Sequence, residues 1–343
     1  MRYPGFLSSG GKIGFIAPSF GCATEPYKSA FDNALSVFHK MGYETDLGPN
    51  CYEEKGIGIS NEPEMCGEEL NNAFINSDCD VIISCGGGEL MCTILPFVDF
   101  GGIRNSKPKW YMGFSDNTNY VFLSAVLMDT AAIYGPCASS FGMEPWHKAI
   151  GDAFDIITGK ASKVSGYDGW ERDRGKNEET PLAPYNITEK TEYVFYPEGM
   201  KKGVSFEGRL IGGCLDCLSN LRGTVYDKVS DFNERYKEDG IIWFLEACDL
   251  NVMDINRTIW ALDSAGWFKY VKGFLIGRPV CIGQEMMGLD HINAVTKILA
   301  KYNVPIIMDL DIGHMSPMMP LIVGSYAHVK ASGDDFEIGF ELK

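Results

Sequence analysis

KWYMGFSDNTNYVFLSAVLMD, residues 109–129, passes from a β-rich apolar run straight into a helical pattern, with Ser115 at the change. Strand followed by helix is the building unit of a parallel sheet, and the unit recurs upstream. KIGFIAPS (12–19) reads as a buried strand, followed by helical spacing from Tyr27 to Met41 that Gly42 stops. DVIISC (80–85) runs into Gly86, Gly87 and Gly88 and then a helical stretch from Glu89 to Leu95. This repetition predicts an α/β domain whose parallel sheet is covered by helices, with any site at the carboxyl ends of the strands. From Gly166 to Lys190 (GYDGWERDRGKNEETPLAPYNITEK) the chain turns polar and rich in Gly and Pro, which suits a linker or a long functional loop. Beyond it, GRLIGGCLDCLSNLRGT, GIIWFLEACDL, VKGFLIGRPV and VPIIMDLDIGH supply the β-rich runs of a second domain. The expected organisation is a first domain over 1–165, a linker or active-site loop over 166–203 and a second domain over 204–343.

A length of 343 residues exceeds what one core usually serves, in agreement with two domains. The net charge of −16 argues against nucleic-acid and anionic-membrane partners, because both are held by clustered Lys and Arg. No apolar run reaches the ~18–20 residues that span a bilayer, and the first residues lack the pattern of a secretory signal. A cytoplasmic location is expected. Eleven cysteines, an odd number scattered along the chain, read as reduced thiols. Cys214 and Cys217 form a lone C-x-x-C with no second pair or nearby histidine, so no metal site is expected.

A serine on a sharp strand-to-helix turn projects its hydroxyl above the sheet, and the next amide points where an oxyanion would sit. Ser115 in GFSDN has that place, although Asn117 stands where G-x-S-x-G has its second Gly, and Ser115 or Asp116 could equally cap the helix. The turn Gly86-Gly87-Gly88 would let backbone amides approach a ligand or would simply turn the chain, and it matches neither dinucleotide nor P-loop spacing. Of five histidines, His39, His147, His291 and His328 read as structural or surface residues. His314 follows a strand within DIGHMSPMMP, where Gly and Pro can fix an imidazole at a strand end. Glu246 ends an apolar strand and calls for a partner, either such an imidazole or Arg257 or Arg278. Asp249, Asp309 and Asp311 compete with it as the orienting acid.

Taken together, GKIGFIAPS, CGGGE, GFSDNT, YGP (134–136), GRLIGGCLDCLSNLRGT, FLEACDLNVMDINRTIWAL and DLDIGHMSPMMPLIVG resemble the LD-carboxypeptidase family, which includes the microcin C7 self-immunity proteins. The resemblance implies a Rossmann-like first domain and a smaller β-rich second one, with a triad of Ser115 as nucleophile, His314 as base and Glu246 as acid assembled across their interface. It also implies an oxyanion hole from the amides of Gly87 and Asp116, and no metal or cofactor. Gly86, Gly88 and Trp170 are the expected substrate-binding residues, Trp170 as an aromatic ring on the 162–203 loop that either stacks on a nucleobase or anchors the loop onto the neighbouring domain. The implied substrate is a small peptide or an aminoacyl-nucleotide, with the immunity branch favoured by the length of that loop. The alternatives are release of a terminal D-amino acid from muropeptides and, in another class, a non-catalytic nucleotide-binding module; a homodimer stays open. Cys85 before the glycine turn, Gly88 in place of Tyr and Leu-Asp-Cys after the Gly-Gly at 212–213 depart from the family pattern.

Overall fold

The computed structural model describes residues 1–56 and 58–343 and contains two main sheets. The first has six strands in the order Leu321–Val323, Ala132–Tyr134, Trp110–Gly113, Val81–Ser84, Lys12–Ile16, Glu44–Leu47. The last five pair in parallel and Leu321–Val323 runs antiparallel at the edge. Numbered along the chain, the parallel strands follow the doubly wound order 2-1-3-4-5, which opens a crevice beyond Ile16 and Ser84, where the connections leave in opposite directions. These strands form because Val81–Ser84 and Trp110–Gly113 are apolar but for Ser84 and buried on both faces, the pattern of a covered parallel sheet. The helical stretch expected from Glu89 to Leu95 is instead a 3₁₀ segment, Met91–Phe97, which contains Pro96.

The second sheet has eight strands, in the order Lys163–Ser165, Asp335–Glu341, Tyr326–Ser332, Val204–Cys214, Ile241–Glu246, Val271–Gly277, Ile306–Leu310, Val194–Tyr196. Four of them, Val204–Cys214 through Ile306–Leu310, are parallel neighbours. Their carboxyl ends are Cys214, Glu246, Gly277 and Leu310. The sheets do not divide at the expected boundaries: Lys163–Ser165 already pairs in the second sheet, and Leu321–Val323 returns to the first. Residues 166–203 are not a plain linker either, since Gly169–Trp170 pairs with Glu189–Lys190 and Val194–Tyr196 closes an edge of the second sheet. Three-residue strands carry too little periodicity to be assigned by pattern, so only the fold shows which sheet each of them joins.

One helix joins the halves. Thr118–Met128 is buried from Thr118 to Val126, because it packs against Ala132–Tyr134 on one side and Val204–Cys214 on the other. Its Phe122 stacks on Trp267 at 5.4 Å and lies 6.2 Å from Trp243. Burial of each such ring stabilises the docked arrangement by about 1.5–3 kcal/mol. Among the described residues, no helix is long and apolar enough to cross a membrane.

Candidate active site

The strand Trp110–Gly113 ends in a turn that forces Ser115 to φ 62°, in the left-handed region that costs a non-glycine residue energy. A serine strained in this way at a strand end is a nucleophile elbow in form. The turn is held by its neighbours. Asn117 donates from Nδ2 to the carbonyls of Gly86 (2.8 Å) and Phe114 (3.0 Å), and its Oδ1 accepts from the Tyr111 hydroxyl. The second glycine of G-x-S-x-G is therefore replaced by a side chain that ties the elbow to the glycine turn. A Cβ at Gly113 would press against Asn117 Cγ at 2.7 Å, so this folding back requires glycine there. The Asp116 side chain points away from the cleft, accepting from Ser19 Oγ and from the Met91 amide at 2.8 Å.

The Gly86-Gly87-Gly88 turn lies directly against the serine. A Cβ on Gly87 would stand 3.2 Å from Ser115 Cβ and 3.3 Å from its Oγ, so any side chain there would crowd the hydroxyl. Gly88 has φ 139° and its Cβ would run into Ser19 and the Gly58 carbonyl.

From the second sheet come the other two groups. Glu246 is the last residue of Ile241–Glu246, 1% exposed, and His314 lies four residues beyond Leu310, 8% exposed. His314 Nδ1 is 2.8 Å from Glu246 Oε2, and its Nε2 is 2.8 Å from Ser115 Oγ. The second carboxylate oxygen, Oε1, accepts from the Tyr134 hydroxyl at 2.5 Å, and that hydroxyl accepts from the Ser115 amide at 3.2 Å. The four residues therefore close a ring, with both oxygens of the buried carboxylate satisfied. Burial and the Glu246 charge raise the Tyr134 hydroxyl well above its ordinary range, so it stays protonated and donates. Burial works against a charged imidazole at His314, but the Glu246 carboxylate, with the Cys248 thiol, outweighs it and raises the ring above its ordinary range.

The competing acids and histidines are placed elsewhere. Asp309 faces His291 at 3.2 Å, Asp311 pairs with Arg278 at 3.2 Å, and Asp249 offers only its amide, to Asp216. Arg257 pairs with Asp254, which leaves neither arginine for Glu246. His39 meets Thr45, His147 caps its helix at the Ala149 amide, and His328 meets Glu207 and Glu341.

A cavity of about 790 Å³ opens over Ser115 and His314. Gly86, Gly87 and Gly88 line its floor side, and Tyr27, Arg174, Lys176 and Tyr185 are among its other walls. Burial brings the Lys176 ammonium down to about 8, and Nζ sits 5.4 Å from the Tyr27 ring centroid. Trp170 does not reach this cavity. Its ring is 5% exposed, with the Arg278 and Arg172 guanidinium groups 4.6 and 4.9 Å from the ring centroid. This placement does not support the expectation that it stacks on a substrate base: two cations lie against its ring, an arrangement suited to an anchor. Around it the 166–203 segment is fastened to the loop that carries His314, through Tyr167 N to Asp311 Oδ2 (2.9 Å) and Glu171 N to the Ser316 carbonyl (2.8 Å). An open groove of about 840 Å³ lies along Ser165–Asp168 and Asp334–Glu337 and contains none of the ring residues.

Three contributors went unread in the sequence. Tyr134 stood in the quoted YGP without a role, Asn117 counted only as a missing glycine, and Lys176 lay in a polar stretch with nothing to single it out. Only Tyr134 carried a local signal, as a polar-tipped residue at the end of an apolar strand.

Two family descriptions match the chain: the LD-carboxypeptidase N-terminal domain over residues 13–135 and the LD-carboxypeptidase C-terminal domain over residues 207–329. The microcin C7 self-immunity protein MccF of Escherichia coli is 27% identical over 93% of this chain and 90% of its own. The murein tetrapeptide carboxypeptidase of Pseudomonas aeruginosa is 29% identical over 89% of this chain and 88% of its own. The solved structure of MccF in complex with glutamyl sulfamoyl guanosine superposes with a TM-score of 0.80 at 22% identity, covering 98% of both chains, a likeness of fold.

Proposed function

The chain belongs to the LD-carboxypeptidase family, and we propose that it is a serine peptidase that cleaves an amide bond through Ser115, His314 and Glu246. The observation that carries the reading is the pair of 2.8 Å contacts linking Ser115 Oγ, the His314 ring and Glu246 Oε2. His314 takes the Ser115 proton as the hydroxyl attacks the carbonyl, Glu246 holds the ring with Nε2 toward the serine, and water later releases the acyl group. The amides of Gly87 and Asp116 receive the oxyanion; the approach of Gly87 to Oγ supports this. No step needs a metal or cofactor.

For substrate, the reading is an aminoacyl- or peptidyl-nucleotide amide of the microcin type. Trp170 is buried, whereas Tyr27 is an exposed ring on the cavity wall that a base could reach, and Arg174 and Lys176 are the cations available to a phosphate or sulfamoyl group. The second reading, release of a terminal D-amino acid from a muropeptide, is favoured by the 29% identity to the murein tetrapeptide carboxypeptidase, and the same cations would hold a terminal carboxylate. Two measurements test these statements. A fluorophosphonate should label Ser115 in the native chain and not in Ser115→Ala; an unlabelled native protein removes the peptidase and leaves a nucleotide-binding module. Turnover of an aminoacyl-sulfamoyl adenosine against an L,D-tetrapeptide then chooses the substrate class.

A further inference from the structure

The Cys214-x-x-Cys217 motif has no histidine near it in the chain, but the fold supplies one. Cys214 ends its strand directly beside Glu246, its partner in register. The Cys214 Sγ, a Glu246 carboxylate oxygen and a His314 ring nitrogen all lie within 4.8 Å of one another. All three residues are buried. Cys248 brings a further thiol to the same imidazole and lines the cavity, so a soft donor stands at the entrance as well.

We propose that Cys214, Glu246 and His314 form a binding site for a thiophilic divalent cation such as Zn²⁺ or Cd²⁺, and that its occupation inactivates the enzyme. Bond lengths to zinc of about 2.0–2.3 Å at tetrahedral angles set S, N and O donors about 3.3–3.6 Å apart. His314 Nδ1 and Glu246 Oε2, 2.8 Å apart, therefore need to open by roughly 0.5 Å, and Cys214 Sγ, within 4.8 Å of both, to approach by up to about 1 Å, which side-chain torsions can supply. Thiolate, carboxylate and imidazole are together a zinc set rather than a magnesium or calcium one. Coordination releases the thiol proton of Cys214 to solvent and, where the metal takes the His314 nitrogen that faces Glu246, shifts the Nδ1 proton to Nε2, so that Nε2 has no lone pair left to take the Ser115 proton. The cation acts as an inhibitor and not as a resident cofactor. Inactivation rests on the proposed chemistry of Ser115, whereas binding does not.

The test is a titration of the full chain with Zn²⁺ against a chromophoric chelator, with Cys214→Ser and, as control, Cys281→Ser at a half-exposed thiol outside the cluster. One equivalent should bind, with affinity at least ten-fold lower in Cys214→Ser and unchanged in Cys281→Ser. Co²⁺ bound to the native chain should show a near-ultraviolet thiolate charge-transfer band, a readout independent of any variant's folding. Its absence, or equal affinity in Cys214→Ser, overturns the site. Fluorophosphonate labelling of Ser115 should fall at least ten-fold at saturating Zn²⁺; undiminished labelling of the metal-loaded chain overturns the inactivation. A chain that no fluorophosphonate labels even without metal fails the peptidase reading instead, and the Zn²⁺ and Co²⁺ arms still decide the site.

Discussion

Across one cavity the chain faces itself in two different ways. On the floor, Glu246 has both carboxylate oxygens bonded within the protein, His314 is held from both nitrogens, and Ser115 is clamped between the Tyr134 hydroxyl and the imidazole. On the opposite wall, Arg174, Asn177 and Glu178 are exposed, and the stretch from Arg172 to Pro184 contains no regular strand or helix. The floor stands on the carboxyl ends of strands from two sheets, where a small displacement would break several hydrogen bonds at once. The wall is an irregular segment pinned near its ends, at Trp170 and at Val194–Tyr196. Preorganised chemistry needs the first kind of support, and recognition can vary on the second without disturbing it.

The largest effect should come from the floor. Ser115→Ala should lower kcat by roughly 10³-fold or more while leaving thermal stability near that of the native chain, since a hydroxyl is lost from a half-exposed turn. Steady-state kinetics beside a thermal melt reads both, and near-normal turnover would end the distinction between floor and wall. Glu246→Gln should cost about 10³–10⁴-fold in kcat. It should also move the pH profile. Because Glu246 raises the His314 ring and only the neutral ring is a base, native kcat/KM should climb with pH through a limb above the ordinary histidine range of about 6.5. Removing the carboxylate charge lowers the ring's pKa, so the limb of Glu246→Gln should shift toward acid. An unmoved limb would separate His314 from Glu246.

Predictions for the wall are smaller and differ in kind. Trp170→Ala should destabilise the chain by about 3–5 kcal/mol, because it strips the buried Arg278 guanidinium of the ring that covers it. A melt decides this: an unchanged midpoint with a raised KM would return Trp170 to substrate binding. Lys176→Met should raise KM about ten-fold, equivalent to ~1.4 kcal/mol, for an anionic substrate and leave kcat and stability nearly unchanged. If kcat falls as far as in Glu246→Gln, the wall takes part in the chemistry and the contrast fails.

How much of this could be read from the chain differs by residue. The apolar runs at 12–19, 80–85 and 109–115, each followed by helical spacing, determine the parallel sheet, because periodicity and burial on both faces are properties of neighbouring residues. The elbow at Ser115 was legible for the same reason, as a turn between two patterned segments. The choice of Glu246 over Asp249, Asp309 and Asp311 was open on local pattern and leaned on the family resemblance. In space it follows from which strand end faces the elbow and from Arg278 and His291 occupying the two later aspartates. Trp170 looked like an exposed ring in a polar stretch, and only the fold shows that two arginines, one of them 108 positions away, cover it. Cys214 looked like half of an isolated thiol pair until parallel register set it beside Glu246 and the loop after Leu310 brought His314 to both. Sequence thus determined the elements and the turn that strains Ser115, since those depend on torsions and spacing over a few residues. Tertiary structure alone decided which distant carboxylate, imidazole, phenol and thiol meet there, because strand register and the docking of two sheets are set by packing over the whole chain.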